Sequence, residues 1–275
     1  MKFSRRTLCA ATLLATTALI PMAVSAQATD WPSRPIRYVV PFSTGGVSDG
    51  VARLIAKNLG YDPVKDFAPV NLVGMVSNVL VVPAGSRFDS VQQITAERKA
   101  KPDSLTYGTA GAGTSQHLSG QLYQSLTGTQ LRQIIYKGGS QAMVDLVGGQ
   151  IDMVFETVAA ARPMIDGKRV KVLGVTSKAR LADLPGVPSL AEAGVTGFEM
   201  QSWQGVFAPA GAPQPIVDRV AREVAAIVGT PGVQARLRTM GVEPDGRVAA
   251  PFAEFQRAEV AKWGKVIREA GIQAE

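Results

Sequence analysis

Leu105-Thr106-Tyr107-Gly108-Thr109-Ala110-Gly111-Ala112-Gly113-Thr114-Ser115-Gln116-His117 reads as a β-rich run, a glycine elbow carrying hydroxyls, and the first turn of a helix. Leu118, Leu122 and Leu126 continue along one helical face, and Gly128 follows as a stop signal. A second stretch repeats this grammar. There 36–42 is β-rich, Ser43-Thr44-Gly45-Gly46 is the elbow, and Val47, Val51, Leu54, Ile55 and Leu59 recur at helical spacing. A strand–elbow–helix unit leaves unpaired N–H groups and partial positive charge where the helix begins, which suits an anion. Either elbow alone is more simply an ordinary βα turn with a cap. Two of them, each opening a helix, point to paired sites that grip a small carboxylate across a cleft.

Outward from the elbows the chain alternates strands and helices. The β-branched region 70–82, broken by Gly74 and Asn78, predicts two short strands, and 131–136, 151–155, 170–175 and 203–207 predict one strand each. Helices are expected over 90–100 behind a Ser cap, over 115–126, through 145–147 ahead of Gly148-Gly149, and near 158–165. After Pro209-Ala210-Gly211-Ala212-Pro213 the pattern is helical near 216–228, 232–240 and 250–270. The βα repetition predicts an α/β fold with parallel sheets, in which ligands sit at the carboxyl ends of the strands.

The N-terminus reads as an export signal. Lys2, Arg5 and Arg6 precede a thirteen-residue apolar core over 8–20, and Val24-Ser25-Ala26 or Ala26-Gln27-Ala28 supplies a small-residue cleavage site. The core is too short to span a bilayer, so a soluble protein outside the cytoplasm is expected. Ser4-Arg5-Arg6 hints at twin-arginine export, but the rest of that pattern is poor and the general secretory route fits better. Cleavage after Ala26 removes three basic residues and no acid, taking the formal charge from +7 to +4 over the remaining 249 residues. The basic residues are scattered, which suits an acidic small ligand and argues against nucleic acid. Cys9 is the only cysteine and lies inside the signal, so the mature chain has no disulfide or thiolate metal site. No metal or cofactor is expected.

Individual residues carry competing readings. Asp49 sits in a first helical turn, where capping fits better than pairing with a ligand ammonium. His117, the single histidine, either donates to a carboxylate or is a satisfied structural residue. Trp203 walls a cleft or packs in a core. Neither elbow matches a phosphate-binding loop or the full dinucleotide fingerprint, and no Gly-x-Ser-x-Gly or Ser-His-Asp arrangement is present.

Five longer motifs add a family resemblance. They are Pro41-Phe42-Ser43-Thr44-Gly45-Gly46-Val47-Ser48-Asp49, Tyr61-Asp62-Pro63-Val64-Lys65-Asp66-Phe67-Ala68-Pro69-Val70, Gly113-Thr114-Ser115-Gln116-His117-Leu118, Asp145-Leu146-Val147-Gly148-Gly149-Gln150-Ile151-Asp152 and Trp203-Gln204-Gly205-Val206-Phe207-Ala208-Pro209. In this order they closely resemble the Bug-type receptors of tripartite tricarboxylate transporters over nearly the whole mature chain. The resemblance implies a two-lobed periplasmic-binding-protein-like α/β fold of type II. Its segments would be a signal peptide over 1–26, lobe one from 27–103 plus 203–275, and lobe two over 104–202. It further implies a monomeric periplasmic receptor that binds a small carboxylate and delivers it to membrane permease subunits, without enzymatic activity. The ligand residues it implies are Phe42, Ser43, Thr44, Gly45, Gly46 and Asp49 from lobe one. From lobe two they are Thr109, Gly111, Gly113, Thr114, Ser115 and His117, with Gly138, Gly139 and Phe155 lining the cleft.

The chain departs from the family pattern at one place. Ala56-Lys57-Asn58-Leu59-Gly60 runs directly into Tyr61-Asp62-Pro63, where family members insert a strand, a glycine-rich loop, a helix and a further strand. Lobe one is therefore expected to be shortened, and a binding-defective remnant is one alternative. A secreted α/β hydrolase or transferase is another, with His117 as its only imidazole. The ligand-sensing domain of a transcription regulator is opposed by the export signal and by the absence of a DNA-binding segment.

Overall fold

A single seventeen-residue strand, β1 (Phe67–Pro83), runs where two short strands were expected, and it organises everything around it. The computed structural model describes residues 64–101 and 104–269. These belong to one compact unit, Val40–Glu275. After β1 come α1 (Val91–Ala100), β2 (Thr106–Thr109), α2 (Ser115–Thr127), β3 (Arg132–Ile135), α3 (Gly139–Val147), β4 (Met153–Thr157), α4 (Val158–Asp166) and β5 (Val170–Val175). The chain then forms β6 (Gln201–Pro209), α5 (Gln214–Val228), α6 (Pro231–Thr239), β7 (Val242–Pro244) and α7 (Ala250–Glu269). The elbow at 43–46 and the junction at 56–63 lie outside the described residues.

The two halves of β1 serve different neighbours. Residues 67–77 pair with β6, and 74–76 also pair with β7. Residues 78–83 lie between β4 and β5, extending the order β3-β2-β4-β1-β5. The residues read as breaks mark the change of partners. A Cβ on Gly74 would collide with Val242 and the Glu243 carbonyl, so glycine lets β7 approach closely. Asn78 is fully buried and keeps the strand continuous: its amide donates to Thr176 Oγ1 at 2.8 Å and its side-chain Nδ2 donates to the Phe155 carbonyl at 3.2 Å.

The expected all-parallel sheet is corrected to a mixed one. β2 pairs with β3 and β4 in parallel, because helical crossovers return the chain to the same edge each time. Among the described residues, all four neighbours of β1 run against it. β7, three residues long, is too short for any periodicity to reveal.

Three apolar clusters result from this layout. The largest packs Leu80, Val82, Val91, Ile94, Tyr107, Leu118, Tyr123 and Phe155 with Phe198, and takes Trp263 and Ile267 from α7. On the other face, Val79, Val81, Met143, Leu146, Val154 and Val158 form a second. The third, around the first half of β1, holds Val70, Val217 and Ala221 as its buried members among the described residues. Beside it Trp203 is half-buried among Phe207, Phe252 and Phe255, with ring centroids 5.7 Å from both Phe252 and Phe255, which places it in packing.

One packing contact reverses an ordinary rule. Alanine normally stabilises a helix relative to glycine by about 1 kcal/mol. In α2, however, a Cβ on Gly120 would overlap the Tyr107 ring, and that tyrosine is fully buried. Gly120→Ala is therefore expected to destabilise by about 1–3 kcal/mol, the usual cost of overpacking. Urea unfolding checks this, and a gain in stability would show that the ring moves aside freely.

Candidate functional site

The parallel strands β2, β3 and β4 end at one edge of the sheet, and α2, α3 and α4 begin there. Their N-caps are Thr114, Gly138 and Thr157. Three helix N-termini consequently share a small region, each with orphan amides and partial positive charge.

The elbow spends most of its polar groups on itself. Gly113 has φ +74°, a left-handed conformation that glycine adopts without strain, and its amide donates to His117 Nδ1 at 3.1 Å. The Thr114 hydroxyl donates to the Gly111 carbonyl at 2.8 Å and accepts the His117 amide at 3.3 Å. Thr109 Oγ1 accepts the Gly111 amide at 3.3 Å and Gln133 Nε2 at 2.8 Å. Thr114, Thr109 and His117 thus build the loop. His117 is buried, its Nε2 lies 3.3 Å from Gln121 Nε2, and its Nδ1 is occupied by Gly113. An imidazole so engaged fastens a turn and does not serve as a nucleophile's base at that nitrogen.

The groups left over lie at the buried start of α2. The first two helical amides, Ser115 and Gln116, and the Ser115 hydroxyl make no hydrogen bond among the described residues. Across from them α3 begins with Gly139 and Ser140, whose amides are likewise without a bond among the described residues; the helix's first bonds come from Gln141 and Ala142 to Gly138. The structure therefore brings Gly111, Gly113, Ser115, Gly138 and Gly139 to one edge.

Phe155 does not join them. It is fully buried on the core face of β4, stacked on Phe198 at 6.3 Å and tilted against Tyr123 at 6.0 Å. Strand alternation sends Phe155 inward and its neighbour the other way. The lobe-one set, Phe42, Ser43, Thr44, Gly45, Gly46 and Asp49, lies outside the described residues.

That neighbour is Glu156, which the sequence reading passed over. It is 3% exposed and its side chain occupies the space between the starts of α2, α3 and α4. Gln116 Nε2 donates to Oε1 and Oε2 at 3.3 and 3.2 Å, and the Thr157 amide donates to Oε1 at 2.8 Å. The Thr157 hydroxyl adds a 3.3 Å bond to Oε1. A Cβ on Gly139 would overlap both Glu156 Oε2 and Gln116 Nε2, so a side chain here would push the ends of these two side chains aside. Burial pushes the Glu156 carboxyl above the ordinary glutamate range, against a partial lowering by these donors. The legible clue was its place: an acid closing a buried strand just before a helix.

Among the described residues no cluster of His, Cys, Asp and Glu is arranged to hold a metal, and no helix is long and apolar enough to cross a membrane.

Comparison with known proteins bears on this arrangement. Residues 32–272 match the family described as tripartite tricarboxylate transporter family receptor. A protein from the tcbD–tcbE intergenic region of Pseudomonas sp. strain P51 is 33% identical, covering 89% of this chain and 88% of its own. That alignment runs over 297 positions, more than this chain's 275 residues, so the relative carries residues without a counterpart here. BugT of Bordetella pertussis is 27% identical over 92% of this chain and 94% of its own. Among solved structures, R. palustris Rpa4515 with adipate superposes with a TM-score of 0.74 at 34% identity, over 81% of this chain and 75% of that one. The periplasmic binding protein BugD superposes with a TM-score of 0.73 at 30% identity, over 84% and 78%. MatC from Rhodopseudomonas palustris with bound malate gives 0.70 at 27% identity, over 81% and 77%.

Proposed function

The chain belongs to the tripartite tricarboxylate transporter receptor family, a family of α/β binding proteins of type II, and from that premise we propose that it binds a small carboxylate outside the cytoplasm. On this reading it passes the ligand to a membrane permease, works as a monomer after loss of its leader, and performs no turnover.

The observation that carries the proposal is the pair of facing helix starts. Ser115 and Gln116 on α2, and Gly139 and Ser140 on α3, aim amides that have no bond among the described residues toward one edge. Family members with adipate and malate bound are in keeping with a carboxylate there. The second half of the grip is assigned to Phe42, Ser43, Thr44, Gly45 and Gly46, with Asp49 behind them. We place the division between the lobes within β1 near Ser77 and Asn78, where the strand changes partners, so that α1 goes with lobe two, whose core holds Val91 and Ile94.

The test is a thermal-shift screen of the mature chain against succinate, adipate, malate and citrate. A ligand bound only by the folded state at one hundred times its Kd stabilises by about 2.7 kcal/mol, so at least one acid is expected to raise Tm by several degrees. No shift with any acid would sink the receptor reading.

A further inference from the structure

Glu156 stands where an anion-binding edge should least tolerate an acid. Its carboxylate is buried among the starts of three helices, bonded by the Gln116 side-chain amide and by Thr157, and pressed against Gly139. Among the described residues Oε1 has three of the donors, whereas Oε2 has Gln116 alone. Every one of these donors is neutral. A ligand carboxylate seated on Ser115 and Gln116, or on Gly139 and Ser140, comes within a few ångströms of this side chain, and two like charges at that separation in a partly dry site repel strongly.

Among the described residues, the elements packed around β4 bring no lysine or arginine to this carboxylate. From α2 come Gln116 and His117, with the His117 ring bonded to Gly113 and near Gln121. From α3 comes Gly139, while its Asp145 accepts the Tyr136 hydroxyl at 2.9 Å. From α4 comes Thr157; Arg162 pairs with Asp183 at 3.6 Å, and Asp166 closes that helix at its far end. β1 presents Asn78 and Val79 in register with Thr157 and Glu156, and β2 presents Thr106, whose hydroxyl donates to Asp152 at 2.8 Å at the opposite end of β4.

We propose that Glu156 is a positioning and specificity-setting residue that takes up one proton when a carboxylate binds, so that ligand capture and proton capture are a single event. This rests on the carboxylate-receptor reading. The proton comes from solvent and adds to Oε2, the oxygen with spare acceptor capacity. The neutral acid then presents an O–H toward the edge in place of a second negative charge. Burial already holds this carboxyl above its ordinary range in the free protein, so the proton is available at little cost.

The direction with pH follows. Below the titration of Glu156 in the free protein the acid is already neutral and affinity is flat. Above it, each bound ligand must bring a proton, and affinity falls about tenfold per pH unit until the bound form also ionises. Glu156→Gln keeps the shape, lets Gln116 and Thr157 remain bonded after an amide flip, and imitates the neutral state permanently.

The experiment is calorimetry of the mature protein with the acid that gives the largest shift in the thermal screen, in buffers of different ionisation heat, between about pH 5.5 and 8.5, a range set to straddle a raised carboxyl. Wild type is expected to take up close to one proton per ligand in the sloping region. Glu156→Gln is expected to take up none and to bind with an affinity that no longer changes with pH. Binding with equal proton uptake in both proteins, or with none in wild type at any pH, overturns the proposal while leaving the receptor reading intact. Carbon-detected titration adds an independent arm: a Glu156 carboxyl that titrates at the same pH with and without the bound acid also overturns it. Failure of every acid to bind overturns both.

Discussion

Gly113→Asp is expected to abolish carboxylate binding, a loss of at least about a hundredfold, in a protein that still folds. The backbone at this position has φ +74°, and aspartate is among the few residues that enter the left-handed region at modest cost. The new side chain sits one residue before the Thr114 cap, within reach of the amides of Ser115 and Gln116. It would act as a tethered competitor for those donors and repel any incoming anion. Two unit charges about 4–5 Å apart at an effective dielectric near 20 interact by about 3–4 kcal/mol, which is where the hundredfold figure arises. Ser115→Ala, which removes one hydroxyl bond and leaves the amides in place, should cost only about 0.5–1.5 kcal/mol. Calorimetry with circular dichroism on both variants checks the pair. Wild-type affinity in a folded Gly113→Asp protein would remove the elbow from the site.

Hydrogen exchange is expected to divide β1 in two. Amides of 78–83 should be among the slowest in the protein, together with those of β2 and β4, whereas those of 67–77 should exchange at least about a hundredfold faster. The physical ground is the cover on each half. Twenty buried residues make up the cluster that takes Leu80 and Val82, and twelve more lie on the face of Val79 and Val81. Around the first half the cluster has three buried members among the described residues, supplemented by the rings of Trp203, Phe207, Phe252 and Phe255. Each missing large side chain forfeits about 1.5–3 kcal/mol of burial, so two such losses account for the hundredfold difference through local opening. The shortening that the family resemblance implies where Gly60 runs into Tyr61 is the proposed origin of the deficit. Uniform protection along all seventeen residues, or tight binding of a small acid without such a gradient, would show that the shortened lobe closes its sheet by another route.

Much of lobe two was legible because its signals are local. The glycine elbow, the leucine spacing of α2 and the Gly128 stop each depend on a few neighbouring residues, and α2 begins at Ser115 as the sequence suggests. What was not legible depends on partners far along the chain. Gly74 and Asn78 look like breaks by composition, yet a close approach by β7 and a bond to Phe155 make them part of one strand. The placement of Phe155 and Glu156 was not legible for a related reason. The family resemblance pointed to the aromatic, but strand alternation turns Phe155 to the core and its neighbour the other way. Likewise, the hydroxyls of Thr109 and Thr114 are the right chemistry for a ligand, and only the folded loop shows that its own carbonyl and amides claim them.

The long strand also sets a schedule for synthesis. Among the described residues all its partners come later in the chain: Asn78 bonds a residue 98 positions on, and Ser202 reaches back 126 positions to Val76. Contacts of such separation form slowly, because the loop must close before the contact rewards it. At roughly 5–20 residues per second, β1 waits on the order of ten seconds after it is made before β7 has been translated. During that interval the apolar run Val79-Leu80-Val81-Val82 is a bare β-forming segment without charge, the kind that seeds aggregation. Nothing within the run discourages pairing with another copy of the chain, so the interval before the rest of the chain arrives is the aggregation-prone stage of its synthesis.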